Sequence, residues 1–205
     1  MPTPMFPLGA TLLPYSLLPL RVFEPRYLEL VRDCVEGDGE FGVVLIERGH
    51  EVGGGEARFD IGCMARILEV RQEGHRLAVL AVGGRRIHVT QWLDDDPYPR
   101  AVLEDWPEPE PDPDPSIDAE LALTVSRSRQ VLALAAELGR GRSLATVELA
   151  EDPVIASHQL TAVVPVSELD RLQLLALPSA GVRLRRLREL LDDVEVLLGL
   201  ELGEG

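Results

Sequence analysis

Apolar and polar positions follow two different patterns along this 205-residue chain, and the change comes near residue 106. Before that point, apolar residues occur in short, β-branched-rich runs that predict strands. The run at 41–46 is apolar throughout, which indicates a strand buried on both faces. Glu73-Gly74 and Gly83-Gly84 predict turns between strands. The predicted strands cover residues 41–46, 61–70, 76–82, 85–92 and 98–106.

One helix is predicted within this β-rich half, at the segment "RVFEPRYL" of residues 21–28. Pro25 suits the first helical position because its missing N–H costs nothing there, and Glu24 suits the positive end of a helix. Apolar residues then recur at helical spacing as far as Gly37. We expect Phe23 and Tyr27 to clamp this helix onto the strands. The apolar positions are Tyr27, Leu28, Val31, Cys34 and Val35.

Beyond residue 116 the apolar spacing changes to that of amphipathic helices, and four are predicted. Short connections between them predict a small helical bundle. Their start and stop signals are Ser116 and Gly139, Asp152-Pro153 and Pro165, the capping-box segment 167–170 and Pro178, and Ser179 for the last helix.

The two halves are joined by "WPEPEPDPDPS", residues 106–116, in which proline alternates with acidic residues. Proline removes every second backbone donor and the like charges repel, so this segment is expected to be an extended, solvated spacer. The predicted organisation is a β domain over residues 1–106, a linker over 107–115 and a helical subdomain over 116–205. The fold class is therefore α+β.

Charge and composition exclude several kinds of function. The net charge of −15 opposes binding to phosphate backbones. All 20 basic residues are arginine, so a P-loop lysine, a Ser-Lys dyad and a Schiff-base lysine are excluded. We expect no secretion signal and no membrane-spanning run, and we expect Cys34 and Cys63 to be buried, reduced thiols of a cytoplasmic protein.

No enzymatic or metal site is predicted. The four histidines, at positions 50, 75, 88 and 158, are separate from one another and lack metal-ligand spacing. Gly53-Gly54-Gly55 lacks the strand-then-helix setting of a dinucleotide site. We therefore expect no metal, no cofactor and no catalytic residue.

The strongest candidate for binding is apolar. Residues 12–20, "LLPYSLLPL", crowd leucines between Pro14 and Pro19, so they cannot form a regular helix. Exposed apolar patches mark interaction sites, although these residues could equally enter the core. The candidate peptide-binding residues are Leu13, Tyr15, Leu17, Phe23 and Tyr27.

The densest basic segment is "GVRLRRLRELL", residues 181–191. On a helix, Arg183, Arg185, Arg186 and Arg188 are expected on the side away from the leucines. We interpret them as a solvated face with nearby acids, and contact with nucleic acid or an acidic partner is the alternative.

The order of several segments resembles the N-terminal domain of Lon proteases. The segment "LPLRVFEPRYLELV" (residues 18–31) is its most specific part, and "FGVVLIERG" (41–49), "FDIGCMARILEV" (59–70) and "GRRIHV" (84–89) follow in the family's order. The helical part from residue 169 is similar as well, so the resemblance spans nearly the whole chain.

The resemblance implies a PUA-like β-barrel with an inserted helix, followed by a helical bundle. It implies a non-catalytic module that binds unfolded or hydrophobic protein segments, for substrate recognition in ATP-dependent proteolysis or for its regulation. A protease and a second copy of the chain are the partners that this hypothesis admits, and the family's ATPase and peptidase domains have no counterpart in the sequence.

The alternative implied by a PUA-like barrel is RNA binding. Its candidate contacts are Arg85, Arg86, Trp92, Arg183 and Arg186, and the charge of the chain weighs against it.

Overall fold

The computed structural model describes residues 2–48, 57–107, 116–139 and 148–203. The chain divides into two compact units, Met1–Pro107 and Glu108–Gly205. Strands dominate the first unit and helices the second, so the predicted α+β class is confirmed. Residues 108–115 of the predicted linker lie outside the described residues, as do His50 and Gly53 to Gly55, and the predicted domain boundaries stay a prediction.

The first unit is built on one mixed sheet with the strand order β2-β5-β4-β3-β1-β6. β1 and β3 are parallel, and every other pairing is antiparallel. A further pairing of β5 with β6 closes five of the strands into a ring and leaves β2 attached outside it. The elements are β1 (Thr3–Leu8), β2 (Leu17–Val22), α1 (Pro25–Glu36), β3 (Glu40–Arg48), β4 (Ala57–Glu73), β5 (Arg76–Trp92) and β6 (Arg100–Asp105).

The predicted turn at Gly83-Gly84 is wrong, because β5 runs through it without a break. Glycine is needed at position 83 because the segment that contains Leu13 approaches the β5 backbone closely there. A Cβ on Gly83 would lie 2.1 Å from the carbonyl oxygen of Leu13, well inside contact distance. Because β5 continues through Gly83 and Gly84, it is 17 residues long and pairs with β2 at one end and with β6 at the other.

The core of the first unit lies between the inner face of the sheet and α1. Tyr27 of α1 stacks on Phe6 of β1 with ring centroids 4.1 Å apart, and Phe6 also contacts Phe41 of β3. Residues 41–45 are all buried, so the prediction of a strand covered on both faces is confirmed. Helix α1 begins at Pro25 and is capped at Gly37, as its sequence signals predict.

The second unit contains α2 (Ile117–Glu137), α3 (Pro153–Val163), α4 (Glu168–Ala176) and α5 (Ala180–Gly203). The predicted start signals coincide with these helices. Asp152 accepts hydrogen bonds from the first backbone amides of α3. Ser167 and Asp170 form the reciprocal capping box of α4. The core consists mainly of leucines and valines, from all four helices and from the connection between α3 and α4.

Candidate functional site

The structure separates the five predicted peptide-binding residues into two groups. Tyr15, Leu17 and Phe23 are exposed, with 51%, 63% and 51% of their surface accessible. Leu13 and Tyr27 are buried in the core of the first unit. The accessible part of the predicted site therefore consists of the first three residues.

Tyr27 fastens α1 to the sheet, as expected of a clamp, whereas Phe23 does not. The Tyr27 ring is covered by Phe6 on one side, and the Arg26 guanidinium carbon lies 4.4 Å from its centroid. Arg26 also pairs with Glu24 at 3.2 Å, two residues away. With the clamp formed by Tyr27, the Phe23 ring is left half exposed at the end of β2.

Tyr15 lies at a corner held against β5 by two backbone hydrogen bonds. Its N–H donates to the Gly83 carbonyl oxygen at 2.8 Å, and the Gly83 N–H donates to the Ser16 carbonyl oxygen at 2.9 Å. Tyr15 has a φ of 65°, the left-handed region in which a side chain costs about 1–2 kcal/mol. The fold therefore holds an exposed aromatic residue in a strained conformation, a combination that is concentrated at functional sites.

A groove of about 560 Å³ opens beside Phe23, between α1 and the end of the β4–β5 hairpin. Its walls are mainly apolar, and Val35 at its α1 side is 57% exposed. Polar and charged side chains border it at both walls. The lining residues are Phe23, Leu28, Val31, Arg32, Val35 and Glu36 from the α1 side, and Val70, Gln72, His75 and Leu77 from the hairpin.

Sequence reasoning identified one wall of this groove but missed the other. The helical stripe that includes Leu28, Val31 and Val35 was recognised, but it is wider than the core requires, and Val35 is left over at its margin. Val70 and Leu77 belong to strands whose pairing with each other brings them near α1. In the sequence, the one indication of the groove is that the apolar stripe of α1 includes more residues than the core can cover.

The strand residues proposed for nucleic-acid contact are already engaged within the first unit. Arg85 forms ion pairs with Glu40 at 2.7 Å and Asp105 at 2.8 Å. Arg86 is buried and donates to the Pro107 carbonyl oxygen. The guanidinium groups of these two arginines therefore form ion pairs and a hydrogen bond within the first unit, which stabilise its fold.

Trp92, proposed for base stacking, is also occupied. Its indole N–H donates to Asp60, and the guanidinium carbon of Arg58 lies 4.7 Å from its ring centroid. Arg58 in turn pairs with Asp95 at 2.6 Å. One face of the ring is thus covered by a cation, and the nucleic-acid alternative stays a prediction that no observation favours.

On α5 the prediction that four arginines face away from the leucines is wrong for Arg183. This side chain is fully buried in the second unit. It donates to the Leu174 carbonyl oxygen at 3.1 Å and to the Ser157 hydroxyl at 2.8 Å. Arg186 keeps the predicted solvated position and pairs with Glu189 at 2.8 Å.

The two cysteines are buried free thiols, as predicted. Burial raises the pKa of both Cys34 and Cys63 to about 12, because a thiolate would lose its hydration in the core. For Cys34, charge repulsion from Asp38 and Asp33 is part of the same rise. Neither thiol is therefore a nucleophile at neutral pH.

The described residues offer neither a metal-ligand cluster nor a membrane-spanning helix. No cluster of three or more histidine, cysteine, aspartate or glutamate side chains there is placed to hold a metal ion. None of the helices in these parts of the chain has the length and apolarity needed to cross a membrane. The cytoplasmic location stays a prediction.

Comparison with known proteins points to one family. The family model described as "ATP-dependent protease La (LON) substrate-binding domain" matches residues 2–193. The crystal structure of a Lon N-terminal domain protein from Xanthomonas campestris is 27% identical, has a TM-score of 0.65 and aligns over 91% of this chain and 96% of its own. The N-terminal domain of a Mycobacterium avium complex Lon protease is 19% identical, with a TM-score of 0.64 over 94% and 99% of the two chains, which indicates a shared fold. No curated protein matched the sequence.

Proposed function

The chain belongs to the LON substrate-binding domain family, and on that premise we propose that it binds unfolded, apolar segments of other proteins. The proposed site consists of Tyr15, Leu17 and the groove beside Phe23. In this proposal the chain recognises or delivers substrates for ATP-dependent proteolysis, or regulates it, and performs no chemistry itself.

The single observation that carries the proposal is the groove between α1 and the β4–β5 hairpin. It is open, has a volume of about 560 Å³, and leaves Phe23 and Val35 more than half exposed. Folded proteins bury such side chains, whereas an unfolded chain exposes apolar residues that can fill the groove. The bordering Arg32, Glu36 and Gln72 supply polar contacts at the rim, which is the usual arrangement of a binding cleft.

The energy available at the groove is sufficient for a detectable effect. Full burial of a phenylalanine or valine side chain is worth about 1.5–3 kcal/mol, so covering the exposed half of a phenylalanine and of a valine contributes about 2 kcal/mol in total. That corresponds to roughly 30-fold in affinity, at 1.36 kcal/mol per factor of ten. Loss of one of the two side chains should therefore be measurable.

The test measures binding of a labelled, permanently unfolded polypeptide, such as a reduced and alkylated globular protein, by fluorescence anisotropy. We expect Phe23→Asp and Val35→Asp each to weaken binding by about tenfold, since each removes an apolar contact and places a charge in the groove. Leu68→Asp is the matched control, because Leu68 is an exposed leucine on β4 that does not line the groove.

The result that would contradict the proposal is equal binding by the wild type and both groove variants, with all three folded. Equal loss in the Leu68→Asp control would also contradict it, because the effect would then follow net charge instead of the groove. Tryptophan fluorescence and circular dichroism establish that each variant is folded.

A further inference from the structure

β2 has one unpaired edge. It pairs with β5 alone among the described strands, in an antiparallel register that continues from Leu17 opposite Val82 to Val22 opposite Leu77. The same register places Ser16 opposite Gly83, and the Gly83 N–H donates to the Ser16 carbonyl oxygen. Because hydrogen-bonded positions alternate in an antiparallel pair, Leu18, Leu20 and Val22 direct their backbone groups towards β5.

The backbone groups of Leu17, Pro19 and Arg21 therefore point away from the sheet. They have no hydrogen-bond partner among the described residues. Pro19 agrees with this geometry, since proline in a strand is tolerated where its missing N–H would face outwards. The free edge thus offers two N–H donors, from Leu17 and Arg21, and three carbonyl acceptors.

Cavities adjoin this edge on both faces of β2. One, of about 160 Å³, lies between residues 19–22 and the side chains of Phe6 and Leu8 on β1. The other, of about 490 Å³, lies between residues 19–21 and the outer surface of β4 and β5, with Ala78 and Leu80 in its floor. Successive side chains of a strand point to opposite faces, so a strand added here would place alternate side chains in the two cavities.

The exposed apolar residues lie at the two ends of the same edge. Leu17 and Phe23 are six residues apart, about 20 Å along an extended strand. Tyr15 stands just before the first end, and the groove adjoins the second. The anchors and the free edge therefore form one continuous track.

Arg21 is the one charged residue of β2. Its side chain is exposed and forms no ion pair with any residue that the structure describes. In a chain of net charge −15, several other arginines are paired with acids, for example Arg71 with Glu69 on the neighbouring surface of β4. An acidic residue on the incoming segment would complement Arg21.

We propose that the substrate segment binds as an added β-strand on the free edge of β2, as an extended apolar stretch with an acidic residue beside Arg21. This inference rests on the proposed function and specifies its binding mode. A module that accepts many unfolded sequences must recognise what they share, and the backbone N–H and C=O groups are common to all of them. An added strand forms hydrogen bonds through those backbone groups, and the pockets for its alternate side chains favour apolar residues.

The first experiment compares two labelled decapeptides of identical composition, five leucines, four serines and one glutamate. One peptide alternates leucine with polar residues and the other spaces leucine at helical intervals. We expect the alternating peptide to bind the full chain at least about tenfold more tightly. Methylation of single backbone nitrogens in it should weaken binding with a period of two residues, by about 3- to 10-fold at alternate positions, since each lost hydrogen bond has that value.

The second experiment changes the edge itself. Arg21→Pro removes an outward N–H and the charge, whereas Arg21→Ala removes only the charge. We expect Arg21→Ala to abolish the preference for glutamate over glutamine in the peptide and to keep the two-residue period. Arg21→Pro should bind a further 3- to 10-fold more weakly, with unchanged tryptophan fluorescence of the folded protein.

Three results would overturn strand addition. They are a preference for the helically spaced peptide, N-methyl effects without a two-residue period, and equal binding by Arg21→Pro and Arg21→Ala. A wild-type dimer that becomes monomeric in Arg21→Pro would overturn it as well, because the edge would then belong to a second copy of the chain. Failure of the proposed function is distinguishable, since it would appear as unchanged binding of unfolded protein by the groove variants Phe23→Asp and Val35→Asp.

Discussion

Replacing Tyr15 by glycine and, separately, by alanine tests whether the corner before β2 is strained. Both substitutions remove the aromatic side chain, and only alanine keeps a Cβ in the left-handed region at φ 65°. Their difference in unfolding free energy therefore isolates the backbone, without any contribution from contacts of the ring.

The expected difference follows from two opposing effects. A Cβ in the left-handed region costs about 1–2 kcal/mol, which glycine avoids. Glycine loses about 0.5–1 kcal/mol more than alanine through the entropy of the unfolded chain. The glycine variant should therefore be the more stable of the two by up to ~1.5 kcal/mol. At a position without this strain, alanine would be the more stable by about 0.4–1 kcal/mol, so the two interpretations differ in sign.

Urea unfolding followed by tryptophan fluorescence is the appropriate assay. The chain has two tryptophans, and both Trp92 and Trp106 belong to the first unit, so the signal reports on the unit that contains Tyr15. An alanine variant that is more stable than the glycine variant would refute the strain argument. Both variants should bind unfolded protein more weakly than the wild type and equally with each other, because both lack the ring.

Three further predictions concern buried groups. Arg183→Ala should lower the unfolding free energy by about 3–5 kcal/mol, since the substitution leaves a cavity and unsatisfied carbonyls in the second unit. Urea unfolding followed by circular dichroism at 222 nm measures this loss, and a loss below ~1 kcal/mol would contradict the prediction. Cys63 has a folded pKa of about 12 against 9.0 for the free thiol, so the unfolded chain releases its proton first and stability falls as the pH rises above 9. Cys63→Ala should make the loss of stability between pH 8 and pH 10 smaller by about 1.4 kcal/mol, as urea unfolding at the two pH values would show, and Cys34 should contribute a similar loss in both proteins. Gly83→Ala should cost about 1–3 kcal/mol in the tryptophan-monitored assay, because its Cβ would meet the Leu13 carbonyl oxygen, and an unchanged midpoint would contradict this.

Helix boundaries were predictable from the sequence because their signals are local. The residues that satisfy the first amides of a helix lie within three positions of it, as Asp152 and Ser167 do. Pro25 likewise marks the start of α1. No distant part of the chain is needed for these assignments, and each agrees with the structure.

Strands were predicted less well, because glycine and proline have more than one use in a sheet. Gly83-Gly84 suggested a turn, but Gly83 serves the close approach of Leu13 within a continuous strand. No strand was predicted at β2, because Pro14 and Pro19 exclude a regular helix there without indicating a strand. Pro19 is tolerated in β2 because this strand lies at the edge of the sheet, where a missing N–H can face outwards. Whether a strand lies at an edge is decided by the whole sheet and cannot be read from the local sequence.

Burial of single side chains was the least predictable property. Arg183 lies on a helix rich in arginine and acids, a pattern typical of a solvated face. Its burial depends on Ser157 and Leu174, which come from α3 and α4 and accept its hydrogen bonds. Arginine has five donors in a fixed fork, so it can satisfy several buried oxygens at once, and its charge alone does not place it at the surface.

In the candidate site too, the sequence pattern does not decide whether a side chain is buried or exposed. Leu13 and Leu17 are both leucines of one apolar run, yet the first is buried and the second exposed, because the left-handed turn at Tyr15 reverses the chain between them. A surface that accepts many substrate sequences needs no particular catalytic or metal-binding residues, so it leaves no motif in the sequence. What it does leave are local exceptions to the rules of folding: an aromatic residue with positive φ, a proline in a strand, and apolar side chains beyond those that the core can cover. In this chain all three occur within the nine residues from Tyr15 to Phe23, along the edge of β2 that pairs with no other described strand, and their coincidence supports the proposed binding at this edge.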